Sequence, residues 1–397
     1  MKKTFLAAVS VLALSAAAHA GGHSPVKMGV ILGFTGPIES LTPDMAAGAE
    51  MAMKEASDSG KFLDGAKIEP VRADSTCVDS AAASTAAERL ITSDNVVSIM
   101  GADCSGVTTA VANNVAVPNG VVMVSPSATS PALSTIEDNG LFFRTAPSDA
   151  RQGEILANVL MERDAKTVAV TYTNNDYGKG FADAFTSAFE GAGGTVTISA
   201  AHEDGKGDYA AEVGALASAG GEALVVLGYV DQGGRGIMQA AIDTAAFDTF
   251  YLGDGMIGDS LLDLPGLDDV SVIGTVPGAE GDFVDTFNTM FSEQVGDGSG
   301  PYRGESYDAA ALMILAMQKA GAADRGAIAA NIMDLANAPG EKIGPGELDK
   351  ALELVAAGTD IDYVGATNVE MTDVGEAAGT YKELVIEGGD WKTVSVR

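Results

Sequence analysis

Short apolar strands alternate with helical stretches along most of this chain, and few folds accept that rhythm. An apolar run at 26–32 is followed by Met45, Ala49, Ala52, Met53 and Ala56 on one helical face. Strand 68–73 follows, and Asp79 or Ser80 caps a helix through Ile91. Next come strand 96–100, a helix keeping Val107, Val111 and Val115 on one face, strand 121–124 and strand 141–144. Pro147-Ser148-Asp149 reads as a crossing between domains, after which the rhythm restarts. Strands at 167–172, 195–200, 223–227, 249–252 and 270–275 are expected, with helices at 152–161, 180–192 and 209–219. Helices at 283–294, 306–319 and 324–335 come next. Past Gly344 the pattern thins to sparse strands among Gly and Asp turns, ending in 381–386 and 391–396. Continuous apolar strands separated by helices imply parallel sheets covered on both faces, an α/β architecture. At 397 residues the chain is too long for one ordinary core, which predicts two domains.

The start of the chain sets the compartment. Lys2 and Lys3 precede an apolar run and then Ala18-His19-Ala20, the pattern of a secretory leader cleaved near residue 20. The run is too short to span a bilayer comfortably, and no later stretch reaches the roughly 20 apolar residues needed. Removing 1–20 removes two lysines and no acid, taking the formal charge from −32 to −34. Such an excess of acid repels nucleic acid and anionic membranes. Cys77 and Cys104 are the only cysteines. In an exported chain such a pair forms a disulfide more often than a metal site or a nucleophile. His19, His23 and His202 show no ligand spacing, so no metal is expected. GxGxxG, P-loop, HExxH and GxSxG patterns are all missing from the sequence, and no cofactor or catalytic set is expected.

Recognition chemistry instead gathers at the expected strand ends. In open α/β sheets ligands bind beyond the carboxyl ends of the strands. Ser105, Thr108, Ser125, Ser127 and Thr129 occupy hydroxyl-rich loops there, suited to a small anion such as a carboxylate. The structural alternative, Ser105 as a plain N-cap and SPSATSP as a plain turn, stays open. In the second run Tyr177, Tyr229 and Asp254 follow strands at equivalent places. A tyrosine offers an apolar face with a hydroxyl, and a buried acid wants a cation. A ligand with a carboxylate on one side and an ammonium beside it fits between the two sets.

The ordered set GFTGP, the cysteine pair, CSG, SPSATSP, FRTAPSDARQG, NDYGKG, a Gly-Tyr after a strand and YDAAALMILAMQKAG resembles the periplasmic leucine/isoleucine/valine-binding proteins that feed ABC importers. The resemblance covers nearly all of the chain after residue 20. It implies a type I periplasmic-binding fold: two doubly wound parallel-sheet lobes joined by three crossovers and closing like a hinge. Lobe 1 is expected at 21–146 plus about 277–372, and lobe 2 at 147–276 plus about 373–397. By similarity Ser105 and Thr129 hold a ligand carboxylate with backbone groups at Ser127. Tyr177 and Tyr229 pack against the amino-acid core, and Asp254 takes the ammonium where close relatives carry Glu. Cys77 and Cys104 match the family disulfide. The implied partner is an inner-membrane ABC permease, and the implied form a periplasmic monomer without turnover. Leu41 stands where the family carries an aromatic residue bounding the side-chain pocket, which opens the ligand to other amino acids, amides or plain carboxylates. A ligand-sensing domain for a membrane receptor and an acyl-transfer or hydrolytic enzyme using a loop serine are the alternatives.

Overall fold

A computed structural model describes residues 24–298, 300–337 and 339–397. The expected leader, 1–20, lies outside the described residues. Among these no helix is long and apolar enough to cross a membrane.

The first run comprises β1 (Val26–Leu32), α1 (Thr42–Ser59), β2 (Ile68–Asp74), α2 (Ser80–Thr92), β3 (Ser98–Gly101), α3 (Ser105–Val111), β4 (Val122–Ser125) and β5 (Phe142–Arg144). Its strands form one parallel sheet in the order β2-β1-β3-β4-β5, with Val26 opposite Ile68 and Met28 opposite Ser98. The second run comprises α4 (Asp149–Glu162), β6 (Thr167–Thr173), α5 (Asp176–Gly191), β7 (Thr195–His202), α6 (Ala210–Ala219), β8 (Ala223–Leu227), α7 (Gly233–Asp243), β9 (Thr249–Leu252), α8 (Asp259–Leu262) and β10 (Ser271–Pro277). Then follow α9 (Asp282–Gln294), α10 (Arg303–Ala320), α11 (Arg325–Ala336), β11 (Glu341–Ile343), α12 (Leu348–Ala356), β12 (Ile361–Tyr363), β13 (Tyr381–Glu387) and β14 (Asp390–Val396). The second sheet runs β7-β6-β8-β9-β10-β13-β14, parallel up to β10 and closed by the antiparallel β13–β14 hairpin. The chain therefore crosses between the sheets after β5, after β10 and before β13.

Both parallel runs share one plan: the first strand lies between the second and third. Connections leaving β1 and β3 diverge to opposite faces, as do those leaving β6 and β8, so each sheet has a crevice at a switch point. The strands read as they do because of where they sit. Central β8 is buried at every residue, while edge strand β7 alternates exposed with half-buried positions. Helix α10 is buried continuously from Gly304 to Gln318 and packs against α1, α11, β3 and β4. A helix apolar all round is stable only when enclosed like this. Gly48 permits the closest approach, since a Cβ there would lie 2.2 Å from the Arg303 carbonyl oxygen.

Three helices depart from expectation. Helix α7 was absent from the pattern because its first turn carries Gly233, Gly234 and Gly236, poor helix formers. Packing requires the glycine: a Cβ on Gly234 would lie 2.1 Å from Met256 Sδ. The region past Gly344 holds helix α12 and not only sparse strands, with Leu348, Ala351, Leu352 and Val355 buried along one face. Helix α5 also starts one turn earlier than expected, because the Asn175 side chain accepts from the Gly178 N–H and caps it.

Candidate functional site

The loops leaving both switch points meet face to face. On the first-sheet side, the loop after β1 carries Ile38 and Leu41, with Met45 on α1. Asp103, just past β3, fixes this wall: its carboxylate accepts from the Gly33 N–H at 2.5 Å, the Ser75 hydroxyl at 3.0 Å and the Cys104 N–H at 3.0 Å. A Cys77–Cys104 disulfide ties the same loop to the end of β2. Ser105 opens α3, and its Oγ accepts from the Ser130 N–H at 3.1 Å. The Ser127 hydroxyl donates to the Asp103 carbonyl oxygen at 3.1 Å.

On the second-sheet side, Tyr177 sits in the first turn of α5 and stacks on Tyr229, which follows β8, with centroids 5.2 Å apart. Asp254 follows β9 and is 3% exposed. Tyr177 Oη donates to one of its oxygens at 2.9 Å and Tyr302 Oη to the other at 2.5 Å. Tyr302 stands just before α10, so the second of these bonds spans the cleft. Burial raises the Asp254 pKa, and the two phenol hydrogen bonds partly offset this.

Leu41, Ser105, Ser127, Tyr177, Tyr229 and Asp254 are thus brought together around one space of about 340 Å³. The space is narrow. Other bonds close the mouth: Ser40 N–H to Asp231 at 2.8 Å, Asp231 N–H to the Pro37 oxygen at 3.0 Å, and the Ser130 hydroxyl to the Asp176 oxygen at 3.1 Å. A roomier space lies beyond Tyr302 among Phe287, Arg303, Lys382 and Trp391. It is away from the switch-point loops, whereas the smaller space lies between those of both sheets and holds the buried Asp254.

Thr129 does not line this space. It is fully buried, its carbonyl accepts from the Asp149 N–H at 2.8 Å, and its hydroxyl has no hydrogen-bond partner. Asp149 is also fully buried beside the Thr129 hydroxyl, and among the described residues neither of its carboxylate oxygens makes a hydrogen bond of ordinary geometry. Burial and the charge of Asp254 raise its pKa well above the ordinary carboxylate range, against weaker pulls from the nearby Thr129 hydroxyl and Arg144. Tyr302, Asp103 and Asp149 were not singled out as site residues from the sequence. Tyr302 lies in a connection with a left-handed backbone, φ 67°, and Asp149 looks like an ordinary acid in a first helical turn.

Residues 25–345 match the model of a family described as periplasmic binding protein. The chain belongs to that family. Among curated relatives of this periplasmic binding protein, the leucine-, isoleucine-, valine-, threonine-, and alanine-binding protein of Pseudomonas aeruginosa is 29% identical over 75% of this chain and 79% of its own. The Leu/Ile/Val-binding protein homolog 3 of Brucella melitensis is 32% identical over 58% of this chain, a match spanning only 61% of that relative's length. The solved leucine-binding protein LivK of Thermotoga maritima superimposes with a TM-score of 0.79 over 94% of this chain and 98% of its own. At 23% identity that likeness speaks for the fold. The family consists of substrate-binding proteins.

Proposed function

We propose that this protein is an exported solute receptor that closes on a small α-amino acid and presents it to an ABC permease, without catalytic turnover. The observation that carries the reading is Asp254, a buried acid held by two phenols across a cleft from neutral hydroxyls. Ser105, with backbone groups at Ser127, takes the ligand carboxylate, while Thr129, expected to share that role, lies buried behind the space. Tyr177 and Tyr229 flank the ligand core, Asp254 takes the ammonium, and Leu41 bounds the side-chain end. The lobes are 21–146 plus about 277–372 and 147–276 plus about 373–397. Because the contacts are split between them, ligand shifts the population toward the closed form. A buried carboxylate facing a ligand without a cation is strongly disfavoured, which sets plain carboxylates and amides behind amino acids.

A thermal-shift screen of the standard amino acids and their deaminated acids supplies the ligand, since saturation at 100 times Kd adds about 2.7 kcal/mol of stability. Calorimetry then compares Asp254 with Asp254→Asn. The substitution is expected to cost about 2–5 kcal/mol for the amino acid and nothing for its deaminated acid. Equal weakening of both ligands overturns the ammonium assignment.

A further inference from the structure

Tyr302 lines two spaces. Its phenol reaches Asp254 in the first, of about 340 Å³, and behind it lies a cavity of about 1000 Å³ counted out to its mouth. Both sheets contribute to the larger one. Arg303 opens α10, which packs on β3 and β4 of the first sheet, whereas Lys382 and Trp391 stand on β13 and β14 of the second. Pro277 and Gly278 line it where the chain leaves β10 for a crossing, the part that is displaced least when two lobes hinge.

Its chemistry is unlike that of the first space. Acids outnumber bases 55 to 23 in this chain, yet among the described residues neither Lys382 nor Arg303 makes an ion pair. The Lys382 stem runs over Gly278, where a Cβ would lie 3.0 Å from its Cδ. Arg303 gives one of its five guanidinium N–H groups to Asn288 Oδ1 at 3.0 Å and lies over the Phe291 ring. Asp44, Glu305 and Asp259 act on its charge without pairing with it, and Asp390, also on the lining, pairs with Lys392. Glu305 is 6% exposed and lines the same cavity. Burial pushes its carboxyl up to about 8, so near neutral pH it offers a donor in place of a charge. Helix α10 starts here without a side-chain cap, and the N–H groups of its first turn add partial positive charge. Phe287 and Trp391 supply aromatic surface beside these groups.

We propose that this cavity is a second ligand site for a small apolar carboxylate, held at its charged end by Lys382 and Arg303 and covered along its body by Phe287 and Trp391. Charge-assisted hydrogen bonds from two cations are stronger than those from neutral hydroxyls, and an aromatic wall suits an apolar body. An ammonium beside the carboxylate would be repelled by the same two cations, so the site takes acids that lack an amine. The first cleft, with neutral donors opposite Asp254, has the reverse preference. The inference does not depend on what that cleft binds.

Trp391 is the chain's single tryptophan, so its fluorescence reports on this cavity. The probe is cyclohexanecarboxylate, which joins an apolar ring to a carboxylate and does not absorb where tryptophan is excited. Titrated into the protein, it should change the Trp391 emission saturably. Lys382→Ala and Arg303→Gln should each raise its Kd about tenfold or more, while Lys382→Arg, which keeps the charge, should hold it within about threefold. Cyclohexylmethanol, the same body without the charge, should give no saturable change. No saturable change with the acid at millimolar concentration overturns the site. A Kd unchanged in both Lys382→Ala and Arg303→Gln places the acid elsewhere, the first cleft included, and overturns it too. Equal binding of cyclohexylmethanol overturns the role of the cations and with it the ligand class. Lys382 is only half-buried, and should either variant fail to fold, the other decides.

Discussion

The loop after β3 and the start of α4 each bury an aspartate, and they treat it in opposite ways. Asp103 gathers the Gly33 and Cys104 N–H groups and the Ser75 hydroxyl. Asp149 has only the Thr129 hydroxyl nearby, and among the described residues no donor bonds it with ordinary geometry. Burial raises the pKa of both, so burial does not distinguish them. Donors do. A carboxylate surrounded by donors is a fastener whose removal strands its partners, whereas one with few donors costs stability.

The sharpest way to break this comparison is truncation. Asp103→Ala leaves three buried donors unpaired and is expected to lose about 4 kcal/mol in urea denaturation. Asp149→Ala is expected to be neutral or stabilising in the ligand-free protein at neutral pH. Comparable losses in the two variants would erase the distinction between the well-bonded and the poorly bonded acid.

Glu305 extends the comparison to the hinge. It is 6% exposed beside the first crossover, where the Thr145 hydroxyl binds its backbone oxygen at 2.8 Å. Burial pushes its carboxyl from 4.5 up to about 8, with Asp308 adding to the rise and its own N–H, Lys382 and Arg303 opposing it. A raised carboxyl favours the protonated native state, so the stability this group contributes is present below about pH 4.5 and lost as pH rises toward about 8. Glu305→Gln removes that loss. Its denaturation midpoint should match the unsubstituted protein near pH 4 and exceed it at pH 8 by on the order of 3 kcal/mol. Equal stabilities at both pH values would mean that water or Lys382 already satisfies the acid.

Sequence patterns made some of this legible and hid the rest for physical reasons. The strands of the two parallel runs were visible because central strands such as β8 are buried throughout. Helix α7 was hidden because glycines that lower helix propensity are what let it pack against Met256. In the site, Ser105, Ser127, Tyr177, Tyr229 and Asp254 could be found because each follows a strand end. Tyr302 follows no strand, and only the three-dimensional path of α10 carries its phenol across to Asp254. Asp149 and Asp103 look alike in sequence, since the donors that separate them come from residues up to 70 positions away.

The smallest expected effect concerns Asp231, a third way of using an acid. It follows β8 at the cleft mouth, where one oxygen accepts from the Ser40 N–H at 2.8 Å across the cleft and the other from the Ser260 hydroxyl at 2.7 Å within its own side. Its own N–H donates to the Pro37 oxygen at 3.0 Å, a bond that survives truncation. Asp231→Ala therefore removes one cross-cleft hydrogen bond from the closed form, about 1 kcal/mol at a partly solvated position. The amino-acid Kd should rise about fivefold, mostly through faster release, with little change in urea stability. Small-angle scattering of the ligand-free variant should show a larger radius of gyration than the unsubstituted protein. An unchanged radius with an unchanged Kd would place the closing energy elsewhere, in the buried bond from Tyr302 to Asp254.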